Sequence, residues 1–195
     1  MTNDRPIAGS QREAAAAATR ARLIAAAGDI LREGGRLSLD AVALRAGVTR
    51  LTVYNQFGSR HGLLEAVFDD RAAAGGLHRI PQAMAMTDPR EALRHIVTIF
   101  CDFWGGDGAV RRLHEVIAPD PEFAAALAAR GERRRGTVGT LIARLDVPGD
   151  AAALTDIVTA LTSQGFFAQL ADRHGTGEAT RMVTRMVDAA IDAGW

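Results

Sequence analysis

Apolar residues recur every three or four positions along most of the chain, which is the spacing of a helix with one buried face. The first such stretch spans residues 16–33 and ends at a glycine pair. A shorter one covers residues 39–46, where Ser38 has the position and side chain of an N-cap and Gly47 ends the helix. The polar residues 1–15 that precede them are expected to form a mobile arm.

The same spacing continues through the rest of the chain. Ser59 is the expected N-cap of a helix that runs to the glycine pair 75–76, and residues 77–87 are expected to form a linker. Further helices are predicted over residues 88–104, 109–117, 121–145, 150–172 and a last segment ending near residue 193. No strand pair with a turn signal and no internal repeat occurs in the sequence. We therefore predict an all-α protein, with a smaller N-terminal domain over residues 1–75 and a larger helical body over residues 76–195.

One stretch departs from this pattern. Residues 47–60, GVTRLTVYNQFGSR, are rich in β-branched and aromatic residues, which favour extended chain. The helical segments on both sides nevertheless favour a turn and a short helix that is held by tertiary packing. The side chains predicted to point inward are Leu44, Val48, Val53 and Phe57. Those left on the outside are Thr49, Arg50, Thr52, Tyr54, Asn55 and Gln56.

This outer face has the chemistry of a helix that lies in the major groove of DNA. Hydroxyl and guanidinium groups can hold phosphates, while amide side chains can pair with base edges. The distribution of charge agrees. The 195-residue chain has no net charge, but residues 1–60 contain nine arginines and five acidic residues, a net charge of +4. No carboxylate lies between Asp40 and Glu65, so a locally basic surface can face a polyanion.

Other classes of function find little support in the sequence. No window reaches the ~20 apolar residues of a membrane span, and the N-terminus has no apolar leader, so a cytoplasmic protein is expected. Cys101 is the single cysteine and is expected to be inert, and the five histidines have no metal-binding spacing. The glycine-rich segments GGDG and GTG lack the strand-to-helix context of a phosphate loop. We expect no catalytic residue, no metal and no cofactor.

Several short motifs occur in a fixed order between residues 16 and 68. They are ALRAGVT at 43–49, VYNQF at 53–57 and SRHGLL at 59–64. In order and spacing they resemble the DNA-binding domain of the tetracycline-repressor (TetR) family of transcription regulators. The resemblance implies an N-terminal three-helix domain with a helix-turn-helix, followed by a larger helical domain for ligand binding and dimerisation.

The resemblance also implies a role for individual residues. Those that would contact phosphates are Ser38, Thr49, Tyr54, Arg60 and, as a further candidate, Arg45. Those that would lie nearest to base edges are Arg50, Thr52 and Asn55. Leu51 stands where the family usually has a small residue or proline, and we expect it to meet a thymine methyl group or a sugar.

For the body, the resemblance implies a small-molecule pocket and a homodimer interface. Candidate pocket residues are Phe100, Cys101, Phe103, Trp104 and Phe123, with Met84 or Met86, although ordinary core packing explains each of them as well. Candidate interface residues, on helices that are apolar on more than one side, are Leu154, Ile157, Val158, Leu161, Gly165, Met182, Val183, Met186 and Val187. Two such helices from each subunit would form a four-helix bundle. The arginine-rich run 130–135 could attract an anion, but the preferred interpretation is a solvated helix face.

The predicted function is therefore that of a homodimeric repressor, which binds a palindromic operator in double-stranded DNA and is released by a small apolar effector. A ligand-independent activator or architectural protein that binds DNA is a first alternative. A helical enzyme whose N-terminal unit merely packs is a second. The enzyme alternative predicts no salt-dependent, sequence-specific affinity for DNA.

Overall fold

The computed structural model describes residues 6–106, 108–117, 121–147 and 149–194, with the backbone alone for residues 6–10, 113–117 and 121–123. All regular secondary structure in these ranges is helical, as predicted. None of the helices described is long and apolar enough to cross a membrane, and no group of three His, Cys, Asp or Glu side chains there could hold a metal. The chain divides into two compact units, Met1–Asp70 and Arg71–Trp195.

Four helices begin in the N-terminal unit: α1 (Pro6–Arg32), α2 (Leu39–Ala46), α3 (Arg50–Phe57) and α4 (Arg60–Ala74). Because α1 begins at Pro6, the prediction of a mobile arm is wrong for residues 6–15, while residues 1–5 lie outside the described part. The alanine run at 14–18 explains the longer helix, since alanine has the highest helix propensity. This part of α1 is helical although residues 11–18 are all exposed.

Aliphatic side chains from all four helices form the core of the N-terminal unit. Its fully buried members include Leu23, Leu31, Leu37, Val42, Val53, Leu63, Leu64 and Val67. The prediction that Leu44 points into this core is wrong, because its side chain is 86% exposed. Val42 and Ala43 take the inward positions of α2, and at about 100° per residue the next side chain turns away from the core.

The C-terminal unit is arranged around α6. Its elements are a 3-10 turn (Leu77–Arg79), α5 (Ile80–Met84), α6 (Pro89–Gly106), α7 (Gly108–Ile117), α8 (Pro121–Ile142), α9 (Ala151–Leu161), α10 (Gln164–His174) and α11 (Thr176–Ala193). α6 packs against α5, α8, α10 and α11. The predicted linker at 77–87 is wrong, because Leu77, Ile80 and Met84 pack against the core of this unit and the backbone there is helical.

The long helix predicted after Asp150 is two helices, α9 and α10, which meet at Thr162 and Ser163. In a continuous helix the N–H of Phe166 would donate to the carbonyl of Thr162. Instead it donates to Ser163 Oγ at 3.3 Å. Serine and threonine side chains offer the backbone such alternatives and therefore favour caps and turns. The carbonyl of Thr162 is thereby released to accept hydrogen bonds from other helices.

The backbone of Gly62, in the first turn of α4, lies very close to the backbone of Phe57 at the end of α3, and a substitution can test this contact. A Cβ atom at Gly62 would stand 2.1 Å from the carbonyl oxygen of Phe57, closer than any van der Waals contact. We expect Gly62→Ala to lower the free energy of unfolding by roughly 2 kcal/mol, because the backbone must shift. Gly136→Ala, in an α8 position with nothing within 4 Å, should instead raise it by about 0.5–1 kcal/mol. Thermal unfolding of both variants measures the difference, and equal shifts would contradict the close approach.

Candidate nucleic-acid interface

The turn between α2 and α3 is fixed by a cap at each side. Ser38 caps the start of α2, since its Oγ accepts a hydrogen bond from the Ala41 N–H at 3.1 Å. Gly47 ends α2 in the left-handed conformation, with φ of 66°. There the Val48 N–H donates to the carbonyl of Ala43 at 3.0 Å. A left-handed glycine at this position is a common way to satisfy the last carbonyls of a helix.

α3 is the helix that the sequence left ambiguous, and it is closed by caps at both ends. Thr49 Oγ1 accepts from the Thr52 N–H at 3.2 Å and lies 2.9 Å from the Thr52 hydroxyl. At the other end Gly58, with φ of 71°, donates its N–H to the carbonyl of Tyr54 at 2.7 Å. Only Val53 of this helix is fully buried. Caps and one buried anchor therefore outweigh the strand propensity of the sequence.

The outer side of α3 and its cap form what we name the recognition surface: Thr49, Arg50, Leu51, Thr52, Tyr54 and Asn55. All are exposed except Thr52, which is half-buried, and the two large side chains among them are 66% exposed at Leu51 and 55% at Tyr54. Gln56, predicted to lie outside, is also half-buried. An acidic side chain lies close to this surface at Asp40, whose carboxylate is 3.6 Å from Arg50 Nε. Both partners are about two-thirds exposed, so this pair is weak and can be exchanged for a phosphate.

Arg20 of α1 holds the C-terminal end of α3, a contact that the sequence analysis missed. Its Nη1 donates to the carbonyl of Gln56 at 3.0 Å, and its guanidinium carbon lies 4.6 Å from the centre of the Phe57 ring. A cation at the end of a helix also interacts favourably with the helix dipole. An arginine on the outer side of α1 carries no sequence signal for this role, because the partner is a backbone carbonyl 36 residues away.

Two of the arginines predicted to contact phosphates are engaged within the unit. Arg45 forms a two-pronged ion pair with Glu33, at 2.8 and 2.5 Å, and this pairing lowers the pKa of the Glu33 carboxyl. The geometry therefore gives Arg45 a contact between the end of α1 and α2, while its phosphate contact stays a prediction. Arg60 donates from Nε to the carbonyl of Leu37 at 3.1 Å, which ties the start of α4 to the residue before the α2 cap.

The described candidate pocket residues of the body do not line one common cavity, although the rings of Phe103 and Trp104 lie 4.6 Å apart, centre to centre. Phe100 and Trp104 lie near the break between α9 and α10, where the Trp104 indole N–H donates to the carbonyl of Thr162 at 3.0 Å. Phe103 lines a different cleft of about 240 Å³ with Gly75 and Val110. The side chain of Phe123 lies outside the described residues. Burial raises the pKa of the Cys101 thiol to about 12, so it remains protonated and poorly nucleophilic.

The predicted dimer face is only partly at the surface. Four of its members, Leu154, Val158, Val183 and Val187, are buried in the core of this same unit, so their assignment to an interface is wrong. They form the inner sides of α9 and α11, which pack against each other. Gly165 and Met186 are exposed, and the partly buried members are Ile157, Leu161 and Met182.

The prediction that the run 130–135 is a solvated helix face is wrong for one residue. Arg134 points inward and donates from Nη1 to the carbonyl of Thr162 at 2.5 Å. Its neighbour Arg135 pairs instead with Asp156 at 2.7 Å. The inward position follows from the contact of α8 with α9, which a single sequence does not reveal.

The fold and the recognition surface define a helix-turn-helix transcription regulator with a separate helical body. The family profile "Bacterial regulatory proteins, tetR family" matches residues 23–67. The HTH-type transcriptional regulator EthR of Mycolicibacterium smegmatis is 30% identical over 155 residues, which cover 71% of this chain and 69% of that protein.

Solved structures show the same fold. A TetR transcription regulator from Haloarcula marismortui has a TM-score of 0.73 at 19% identity, covering 91% of this chain and 98% of its own. SmeT, in its complex with triclosan, has a TM-score of 0.69 at 18% identity, covering 90% of this chain and 91% of its own. The chain belongs to the TetR family of bacterial transcriptional regulators.

The contact of Arg20 with α3 can be tested apart from any DNA. We expect Arg20→Ala to lower the free energy of unfolding by about 1 kcal/mol, because one hydrogen bond and one cation–π contact are lost. Arg22→Ala is the matched control, an exposed arginine of the same helix, and should change stability by less than about 0.5 kcal/mol. Thermal unfolding followed by circular dichroism measures both. Equal losses would mean that Arg20 does not hold α3.

Proposed function

We propose that this chain is a sequence-specific repressor that binds a palindromic operator as a homodimer, with α3 of each subunit in the major groove. The observation that supports this most is the recognition surface itself. It presents hydroxyl, guanidinium and amide groups on a capped helix, and the chain has no carboxylate between Asp40 and Glu65. Such a helix can approach DNA without charge repulsion. This favours a helix that contacts bases in the major groove over one that only packs within the N-terminal unit.

We assign the residues of the surface to two roles. Ser38, Thr49, Tyr54 and Arg60 contact phosphates and fix the orientation of α3 on the duplex. Arg50, Thr52 and Asn55 face the base edges, where Arg suits guanine and Asn suits adenine. Thr49 and Ser38 can do both jobs at once, because a hydroxyl that accepts from a backbone N–H still has a proton to donate to a phosphate.

A dimer supplies the affinity that one short helix lacks. Two copies of α3 one helical turn of DNA apart read the two halves of a palindrome. Exposed Gly165 and Met186 favour α10 and α11 as the contact between subunits, with Ile157, Leu161 and Met182 beside them. A glycine on an exposed helix face permits close approach of a second backbone.

Release by an effector completes the proposal. A small, largely apolar molecule in the body stabilises a spacing of the two α3 helices that no longer fits the operator. The complex of SmeT with triclosan, a structure with the same fold, supports a pocket of this kind. A regulator of this type acts on DNA in the cytoplasm.

In vitro selection of duplexes bound by the full chain tests the proposal. We expect a palindromic consensus with two half-sites about 10 base pairs apart. Enrichment of sequences without any consensus would contradict a sequence-specific regulator. A consensus that is bound equally by monomeric and dimeric fractions in analytical ultracentrifugation would contradict the homodimer.

Asn55 gives a sharper test of base reading. We expect Asn55→Ala to weaken binding to the selected duplex by roughly tenfold or more, because a side chain that pairs with a base edge is lost. The dependence of affinity on salt should not change, since a neutral side chain releases no counterion. Gln82→Ala is the control, an exposed amide on the body, and should bind as the wild type does. Fluorescence anisotropy measures both, and a changed salt slope would place Asn55 at a phosphate instead.

Leu51 is expected to set a preference that is particular to this chain. Leu51→Ala keeps the helix propensity high but removes the apolar contact with a thymine methyl group or sugar. Repeating the selection with this variant should relax the preference at one position of each half-site. An unchanged consensus would show that Leu51 takes no part in recognition.

A further inference from the structure

Arg134 is a half-buried arginine of the body whose contacts include no carboxylate among the described residues; Arg144 also contacts backbone carbonyls, but its side chain is exposed. Arg90, Arg94, Arg111 and Arg135 each lie within ion-pair distance of an aspartate. In the described ranges no carboxylate lies within that distance of Arg134. Its guanidinium donates to the Thr162 carbonyl, and its guanidinium carbon lies 5.9 Å from the centre of the Phe100 ring. Burial alone lowers its pKa, which still leaves the group charged.

A guanidinium has five N–H donors in a fixed fork. One of those of Arg134 is satisfied by the carbonyl of Thr162. A partly buried charge with so few partners is unfavourable unless another group compensates it. Because Arg134 is only half-buried, its remaining donors can be reached by an acceptor from outside the chain.

The surroundings of Arg134 form a polar end and an apolar wall. The carbonyl of Thr162 accepts from both Arg134 and Trp104, which brings α6, α8 and the α9–α10 break together. Phe100 and Trp104 supply the wall. They lie one turn apart on α6, so their rings share one side of that helix.

A second polar group on α9 also lacks a partner. Thr159 Oγ1 is inaccessible to solvent and has no hydrogen bond to any described residue. It lies one turn before Thr162 and one turn after Thr155, whose methyl group is 3.4 Å from where a Cβ on Gly139 of α8 would stand. Thr155, Thr159 and Thr162 thus follow one stripe of α9, the stripe that faces α8.

We propose that Arg134 binds the carboxylate of an apolar organic acid, whose hydrocarbon part packs against Phe100 and Trp104. A carboxylate matches the two-pronged geometry of the guanidinium and compensates its charge. Thr159 supplies a further hydroxyl donor on the same stripe. The effector that binds to the helical body then belongs to the class of monoanions with an apolar tail. Its effect on DNA binding rests on the function proposed above, whereas the binding itself does not.

The test compares acids with neutral analogues of the same shape, by thermal unfolding of the full chain. The probes are benzoate with benzamide and octanoate with octanamide. We expect each carboxylate to raise the melting temperature of the wild type by at least about 2 °C more than its amide does, as mass action requires for a ligand of the folded state. Arg133→Met, one residue away on the exposed side, should keep this difference.

Two substitutions at Arg134 locate the site. Arg134→Met removes the charge and every donor, while Arg134→Gln removes the charge but keeps an N–H group that can donate. Both should lose the difference between acid and amide. Should the methionine variant fail to fold by circular dichroism, the glutamine variant gives the result. Equal shifts by acid and amide in the wild type, or a difference that persists in either folded variant, would overturn the proposal.

The outcome is separable from that of the proposed function. Operator binding is measured on the same preparations with the duplex from the selection. An acid-specific shift in a protein without a DNA consensus would support the anion site and contradict the regulator. Operator binding without any acid-specific shift would support the regulator and overturn the anion site.

Discussion

The structure of the N-terminal unit depends on holding an eight-residue helix that cannot be stable alone. α3 buries Val53 completely and Thr52, Gln56 and Phe57 partly, so packing anchors one side of the helix. Its ends add further order: Thr49 caps the first turn, Gly58 closes the last, and Arg20 of α1 donates to the carbonyl of Gln56. Because the inner side and the two ends hold α3, its outer side is left for the exposed side chains of Arg50, Leu51, Tyr54 and Asn55.

The arginines of the chain show how the same side chain serves two purposes. No lysine occurs, so every strong cation is a guanidinium. Most of those with defined contacts are fixed by a carboxylate, as Arg45 is by Glu33 and Arg135 by Asp156. Arg50 is in a weak exposed pair, while Arg20, Arg134 and Arg144 contact backbone carbonyls and no carboxylate among the described residues. Of these, Arg50 and Arg134 stand where we propose an anion from outside the chain: a nucleic acid for Arg50 and an organic acid for Arg134.

The features that could be predicted from the sequence were those that depend on residues a few positions apart in the chain. The Ser38 cap and the Gly47 stop follow from side chains and φ angles within a few residues, and both are confirmed. The predictions that failed concerned side chains whose position depends on which helices pack together. Leu44 is outside because the inward positions of α2 were filled by its neighbours, and Arg134 is inside because α8 packs on α9. The break at Thr162 could be predicted in part. Ser163 is a local signal for a helix cap, but the sequence does not show that Trp104 and Arg134 donate to the Thr162 carbonyl.

The central claim is that α3 reads the major groove, and methylation interference on the selected duplex tests it most directly. Dimethyl sulfate modifies guanine at N7, in the major groove, and adenine at N3, in the minor groove. The account predicts that N7 methylation of guanines in two blocks about one helical turn apart blocks binding of the full chain. Interference confined to adenine N3, or none at any purine, would contradict it.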